Sequence, residues 1–222
     1  MLYVTSDIHG EYSRYLKLVR SVLQDSDVLY IVGDCIDRQS GGIDILLDIM
    51  NRPNVHLILG NHEYMMMTAH KKGASYWDRA NWYNNGGSET EAAFRKLDKV
   101  KRSQIMDFLR SCPNQVEVSV DNRCFHLVHG WPGDCAYDRV WGRPSGKNPL
   151  PGKTVIIGHT VTAWIAENVQ DALSHGHICI YPKKDVREKM GLGYIAIDCG
   201  CGHPLPRKLA CLRLDDMEEF YF

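Results

Sequence analysis

Five short runs rich in Asp, His and Gly follow one another along the chain: Asp7-Ile8-His9-Gly10, Gly33-Asp34-Cys35-Ile36-Asp37-Arg38, Gly60-Asn61-His62-Glu63, His129-Gly130 and Gly158-His159-Thr160. Their mixed nitrogen and oxygen donors, without thiolates, suit two divalent cations such as Mn, Fe or Zn rather than Ca. Asp7 and His9 share one short loop. Asp34 carries a carboxylate that two cations can share, and the Asn61 amide oxygen with the His129 and His159 imidazoles can complete the shell of the second cation. Water held between two such cations is far more acidic than bulk water, so hydroxide is available near neutral pH. His62 remains to protonate a leaving oxygen, with Asp37 fixing its tautomer, and the Arg38 fork can grip two phosphate oxygens. These residue types point to hydrolysis of a phosphate ester. Because such reactions are accelerated by up to ~10²¹ and a general acid supplies only ~10²–10⁴, the cations must carry most of the barrier reduction.

Side chains so far apart in sequence need elements that deliver them to one place. Residues 2–6 form an apolar run, and Glu11–Gln24 follows with Tyr12, Tyr15, Leu16, Val19, Val22 and Leu23 on one helical face. Val28–Val32 is continuously apolar, as strands buried on both faces are. Ile43, Leu46, Leu47 and Met50 mark a second helix, ended by Asn51-Arg52-Pro53-Asn54, and Val55–Leu59 a third strand. A βαβαβ pattern of this kind predicts parallel strands with right-handed crossovers. Asp7, Asp34 and Asn61 then lie just past the C-terminal ends of the three strands, the edge where ligands bind in parallel sheets.

The middle third, from His70 to Arg110, reads as helical and basic. It contains the polar loop Asn84-Asn85-Gly86-Gly87-Ser88 and a capping-box-like Ser88-Glu89-Thr90-Glu91. A helical cap-like segment is therefore expected around residues 63–111, within a single domain spanning 1–222. The last half reads as a second sheet. Its runs are Val116–Val120, a turn at Asp121-Asn122, Cys124–Val128, Val155–Ile157, Ile178–Tyr181, Tyr194–Ile197 and Leu209–Leu214. His129 and Gly158-His159 again follow strand ends. Met65-Met66-Met67 reads as helix core, Trp131 as packing or pocket lining, and His56, His70, His126, His175, His177 and His203 as structural.

Charge is balanced, with 26 basic and 27 acidic residues, so no global field advertises nucleic acid or an anionic membrane. The chain opens on a strand-like run, and no apolar stretch approaches the ~20 residues of a membrane span; a cytoplasmic protein is expected. Its eight cysteines read as reduced structural thiols, with Cys35, inside the second motif, the position to watch for oxidation.

The five motifs, in this order, resemble the PPP-type metallophosphoesterases, and within them the bacterial and phage protein phosphatases similar to lambda phosphatase. The resemblance runs from Asp7 to about Gly200. It implies an α/β (α+β) fold, a four-layer αββα sandwich of two mixed sheets, and a dinuclear site typically active with Mn. It implies Asp7, His9 and Asp34 as ligands of one metal, and Asp34, Asn61, His129 and His159 as ligands of the other. His62 would be the proton donor and Asp37 its partner. Arg38 and, through Val140-Trp141-Gly142-Arg143, Arg143 would bind substrate phosphate together with Asn61. Ser6 and Gln39 depart from the family pattern, which favours Gly at both. The implied activity is that of a protein serine/threonine phosphatase of single or dual specificity, working by attack of a hydroxide shared between the metals on phosphorus of a phosphoprotein or phosphopeptide. The alternative is a diadenosine tetraphosphate hydrolase acting on a dinucleoside polyphosphate, which more often has Asp where Glu63 stands. A non-catalytic phosphate- or metal-binding module would show a lost ligand or a lost His62, and neither is lost.

Overall fold

Strands that are apolar on both faces need cover on both: the two sheets stack on each other, and helices and loops cover their outer faces. The computed structural model describes residues 1–144, 150–165, 176–181, 193–204 and 208–222. The first sheet has the order β10-β9-β1-β2-β3, with β1 (Leu2–Thr5), β2 (Val28–Val32) and β3 (Val55–Ile58) parallel and β9 (Ala210–Arg213) and β10 (Glu219–Tyr221) antiparallel. The second has the order β4-β5-β6-β8-β7, with β5 (Arg123–Val128), β6 (Thr154–Ile157) and β8 (Tyr194–Ala196) parallel, flanked by antiparallel β4 (Gln115–Val120) and β7 (Cys179–Tyr181). These are the two mixed sheets expected from the sequence.

Alternation along the strands sorts the core. Val4, Val32 and Ile58 point inward and meet Phe125, Leu127, Ile156 and Ile195 between the sheets. Tyr3, Leu29, Ile31 and Leu57 point outward, into a core shared with Tyr15 and Leu18 of α1 (Tyr12–Ser21) and Ile45 and Leu46 of α2 (Gly42–Met50). Each such buried aliphatic side chain contributes about 1.5–3 kcal/mol. The outer face of the second sheet buries Val155, Ile157 and Tyr194 beneath Trp131, Leu150 and Ile165. Trp131 packs edge-on against Tyr194 at 5.2 Å, so it serves packing.

The expected cap consists of α3 (Asn61–His70), α4 (Tyr76–Asn84), α5 (Ser88–Lys96) and α6 (Lys99–Ser111). Met65 and Met66 are buried core, as expected. Two expectations are corrected. Leu209–Leu214 does not join the second sheet: β9 pairs antiparallel with β1, Val4 opposite Leu212, because the free edge of β1 takes the returning chain. The three-residue β10 then covers β9. Ser88 does not cap α5, whose N-cap is Gly87. The capping box is at Ser75, whose hydroxyl accepts the Asp78 N–H while the Asp78 carboxylate accepts the Ser75 N–H. All eight cysteines are free thiols. Burial, then Glu63, pushes the Cys35 thiol well above its usual range, which suits a packed thiol rather than a reactive one. Among the described residues no helix is long and apolar enough to cross a membrane.

Candidate metal centre and active site

The loops that follow β1, β2, β3, β5 and β6 meet at one edge of the stacked sheets. Their backbones are unusual there. Of eight non-glycine residues with positive φ among the described ones, six are Asp7, His9, Asp34, Asp37, Arg38 and His159. Left-handed backbone is uncommon outside glycine, and strain of this sort gathers at functional sites. Close approach adds its own demand. Gly33 has φ +79°, and a Cβ there would run into the His129 ring arriving from the second sheet.

Two of the imidazoles are aimed by backbone carbonyls. His9 Nδ1 lies 3.2 Å from the Ile36 oxygen and His129 Nδ1 lies 2.8 Å from the Val32 oxygen. In both rings Nε2 therefore faces the centre, the orientation that metal-ligating histidines show. Asp34 is the shared point: its Oδ2 is 3.2 Å from His129 Nε2, 3.7 Å from His62 Nε2 and 3.9 Å from His9 Nε2. Asp7 Oδ1 is 3.8 Å from His9 Nε2, and Asn61 Oδ1 is 3.0 Å from His129 Nε2. Two ligand clusters result, His9–Asp34–His62 and Asp34–His129–His159, with Asp34 common to both. The Nε2 atoms of His9 and His159 are buried without a hydrogen-bond partner among the described residues. An unsatisfied buried polar atom costs about 1–3 kcal/mol, and ligation removes that cost. The donor set fits two divalent cations.

Beside this floor stands a wall of three residues. Asp37 Oδ2 accepts from His62 Nδ1 at 2.7 Å and from the indole Nε1 of Trp82 at 2.8 Å, and the Asp37 N–H donates to Thr90 Oγ1 at 2.9 Å. The Arg38 N–H donates to the Gly86 carbonyl at 3.0 Å, and its guanidinium meets His203 Nε2. Arg143 is exposed and donates to Thr160 Oγ1 at 3.2 Å, one residue from His159.

A profile for the calcineurin-like phosphoesterases matches residues 1–181. The chain belongs to that family. It is 32% identical over 140 residues to serine/threonine-protein phosphatase 2 of Escherichia coli K12, a match covering 60% of this chain and 59% of the relative. A stretch of 68 residues is 34% identical to the symmetrical bis(5'-nucleosyl)-tetraphosphatase of Salmonella paratyphi A, covering 29% of this chain and 24% of the relative. The chain thus spans less than two thirds of the length of either. In fold it matches a protein serine/threonine phosphatase of Saccharomyces cerevisiae with a TM-score of 0.61 at 15% identity, over 100% of this chain and 78% of that one.

The candidate ligands are surrounded by partners that the motifs alone do not reveal. Glu63 is fully buried and accepts the N–H groups of Asp34, Cys35 and Gly60, each at 2.9 Å, tying the second and third motif loops together. Asp198 follows β8 as the earlier ligands follow their strands, and its carboxylate accepts the Gly200 N–H at 2.9 Å. Burial raises the Asp198 pKa to about 6, with Asp34 adding to the rise while Gly200 and Arg38 oppose it. His203 packs edge-on to Trp164 at 4.9 Å, and burial, Arg38 and His62 lower its pKa to about 4, so it meets Arg38 as a neutral acceptor. Both departures from the family pattern are accommodated. The Ser6 hydroxyl sits between the Asp7 carboxylate and the Val32 carbonyl, and Gln39, at ordinary φ, donates its N–H to the His9 oxygen at 3.2 Å.

Electrostatics follow from this crowding. Burial raises the Asp34 pKa, yet the His129, His62 and His9 rings outweigh it and hold the carboxyl well below its usual range. Burial likewise opposes charge on His129, but Asp34 and Asp7 lift its pKa to about 10, whereas burial and then His129 lower that of His159 to about 3. His62 is also raised: Asp34 and Asp37 overcome its burial. Among the histidines read as structural, His203 alone reaches the wall; His175 lies outside the described residues.

Proposed function

We propose that this chain is a metal-dependent phosphomonoester hydrolase acting on phosphoserine and phosphothreonine proteins, with phosphotyrosine as a second substrate class, and that its centre takes two Mn ions. The observation that carries this reading is the junction at Asp34. Two candidate ligand clusters share that carboxylate, and His62 of the first, 3.7 Å from it, is paired through Nδ1 with Asp37, the chain neighbour of Arg38. Asp7, His9 and Asp34 would hold one cation, and Asp34, Asn61, His129 and His159 the other.

When bound, the cations acidify water and neutralise charge on the phosphate. The chain's own residues do the rest. Arg38, presented by Gly86 and His203, binds two oxygens of a terminal phosphate, and Arg143, bonded to Thr160 next to His159, contributes to the same grip with Asn61. In-line positioning then lets the oxygen of water bond to phosphorus. The ester P–O bond breaks with its electron pair on the leaving oxygen, which takes the proton of His62 Nε2. The proton given up by water restores His62, leaving an alcohol and inorganic phosphate. Asp37 keeps His62 Nδ1 protonated throughout.

The 32% identity to serine/threonine-protein phosphatase 2 supports the protein-phosphatase reading. The 68-residue stretch shared with a bis(5'-nucleosyl)-tetraphosphatase favours a second one, hydrolysis of diadenosine tetraphosphate. Turnover of a phosphoserine peptide, a phosphotyrosine peptide and diadenosine tetraphosphate, compared with added Mn, tests them. The phosphoserine peptide is expected to lead, and a lead for the dinucleotide replaces the first reading with the second.

A further inference from the structure

The His62–Asp37 pair is not self-supporting. Asp37 is fully buried, its backbone is left-handed at φ +69°, and its Oδ1 has no hydrogen-bond partner among the described residues. A carboxylate so placed can turn about its side-chain bonds unless something fixes the oxygen that serves His62. That something is the indole of Trp82, which donates to the same Oδ2 at 2.8 Å that accepts from His62 at 2.7 Å. Trp82 lies in α4, 45 residues from Asp37, and is only 1% exposed. Its ring is locked in turn: His70 packs edge-on at 5.5 Å, His70 Nε2 is held at 2.9 Å by Glu91, and a Cβ on Gly87 would strike the indole. The adjoining part of the cap holds the backbone of the same loop through Thr90 and Gly86.

We infer that Trp82 is a positioning residue for proton transfer, fixing the Asp37 carboxylate so that the His62 imidazole presents Nε2 to the leaving oxygen. The helical cap is thereby part of the catalytic machinery and not merely a wall around the substrate. Docking of α4 sets how well the leaving oxygen is protonated, while His9 and His129, aimed by the carbonyls of Ile36 and Val32, are untouched by it. The inference rests on the reading of His62 as the proton donor.

Protonation matters only when the leaving oxygen is basic, and that gives a readout general loosening would not mimic. Trp82→Phe removes the N–H and keeps an aromatic ring. With both metals retained, kcat for a phosphoserine peptide is expected to fall about tenfold or more, a fraction of the ~10²–10⁴ a general acid provides, while kcat for p-nitrophenyl phosphate changes less than about threefold. His62→Asn should show the same leaving-group dependence, and His62→Asn with Trp82→Phe should be no slower than His62→Asn alone. Equal slowing of both substrates by Trp82→Phe, loss of metal, or an additive double variant overturns the inference and leaves the His62 reading intact. If His62→Asn itself slows both substrates equally, that reading falls and the inference with it. Should Trp82→Phe fail to fold, replacing the tryptophans with β-(3-benzothienyl)alanine, which exchanges only the N–H for sulfur, applies the same criterion.

Discussion

The floor and the wall of the site are held in different ways. On the floor, His9 and His129 are aimed by the carbonyls of Ile36 and Val32, and Asp34 accepts the His62 N–H and donates its own to Glu63, both in the first turn of α3, which follows β3 directly. On the wall, Asp37 and Arg38 are fixed by Trp82, Gly86 and Thr90 of the cap and by His203 near the end of the chain. The floor is thus as rigid as the double sheet, whereas the wall depends on distant segments staying docked. Metal binding and the handling of substrate should therefore be separable by mutation.

The sharpest way to break this division is Asp34→Asn, since one carboxylate serves both clusters. Both metals should be lost together and turnover should drop to background; elemental analysis showing one metal retained would mean the two sites are independent. His62→Asn should cost ~10²–10⁴ in kcat with both metals still bound about 3.5–4 Å apart. Metal loss in that variant would move His62 from wall to floor, where its Nε2, 3.7 Å from Asp34, also lies within one ligand cluster. Glu63→Gln tests the floor from behind by turning an acceptor of backbone N–H groups into a partial donor. Metal affinity measured by titration should fall about 10–100-fold. Arg38→Ala should raise KM for phosphomonoesters by about 10–100-fold, the worth of lost charge-assisted hydrogen bonds, and harm diesters less; an equal loss on both would remove Arg38 from the monoester grip.

The smallest effect belongs to neither side. Asp48 joins α1 to α2, accepting from Tyr15 at 2.6 Å and pairing with Arg52. Burial raises its pKa, but the Arg52 and Tyr15 hydrogen bonds outweigh it and hold the carboxyl below its usual range. A depressed folded pKa stabilises the fold above the unfolded value and is lost as pH falls through the folded one. Asp48→Asn should therefore flatten the acid limb of the thermal-stability profile while leaving metal content and kcat unchanged.

How much of this was legible in the sequence follows the same division. The positions of Asp7, Asp34, Asn61, His129 and His159 could be read because a polar side chain just beyond a strand end obeys a local rule, and the structure brings all five to one edge of the sheets. Asp198, after β8, obeys it as well and could have been found that way. Trp82, Thr90 and His203 could not, because their partners are 45, 53 and 165 residues distant and nothing in local spacing marks them. Glu63 was legible only as a neighbour of His62; its three N–H partners appear once the loops are folded together. The course of β9 also escaped, because an apolar run shows that a strand is buried but not which sheet has a vacant edge.

The left-handed backbone of the motif loops has a consequence for reading other chains of this kind. Asp, Asn and His are the side chains most tolerant of positive φ after glycine, and they are also the donors that divalent cations prefer. With the ligand roles proposed for Asp7, His9, Asp34 and His159, two selective pressures ask for the same residues at these left-handed positions. A descendant that had abandoned catalysis could retain them for conformational reasons alone. Asn61, His62 and His129 have no such second reason, since their φ values are ordinary. Those three positions, more than the conspicuous aspartates, are where a decayed homologue would betray itself.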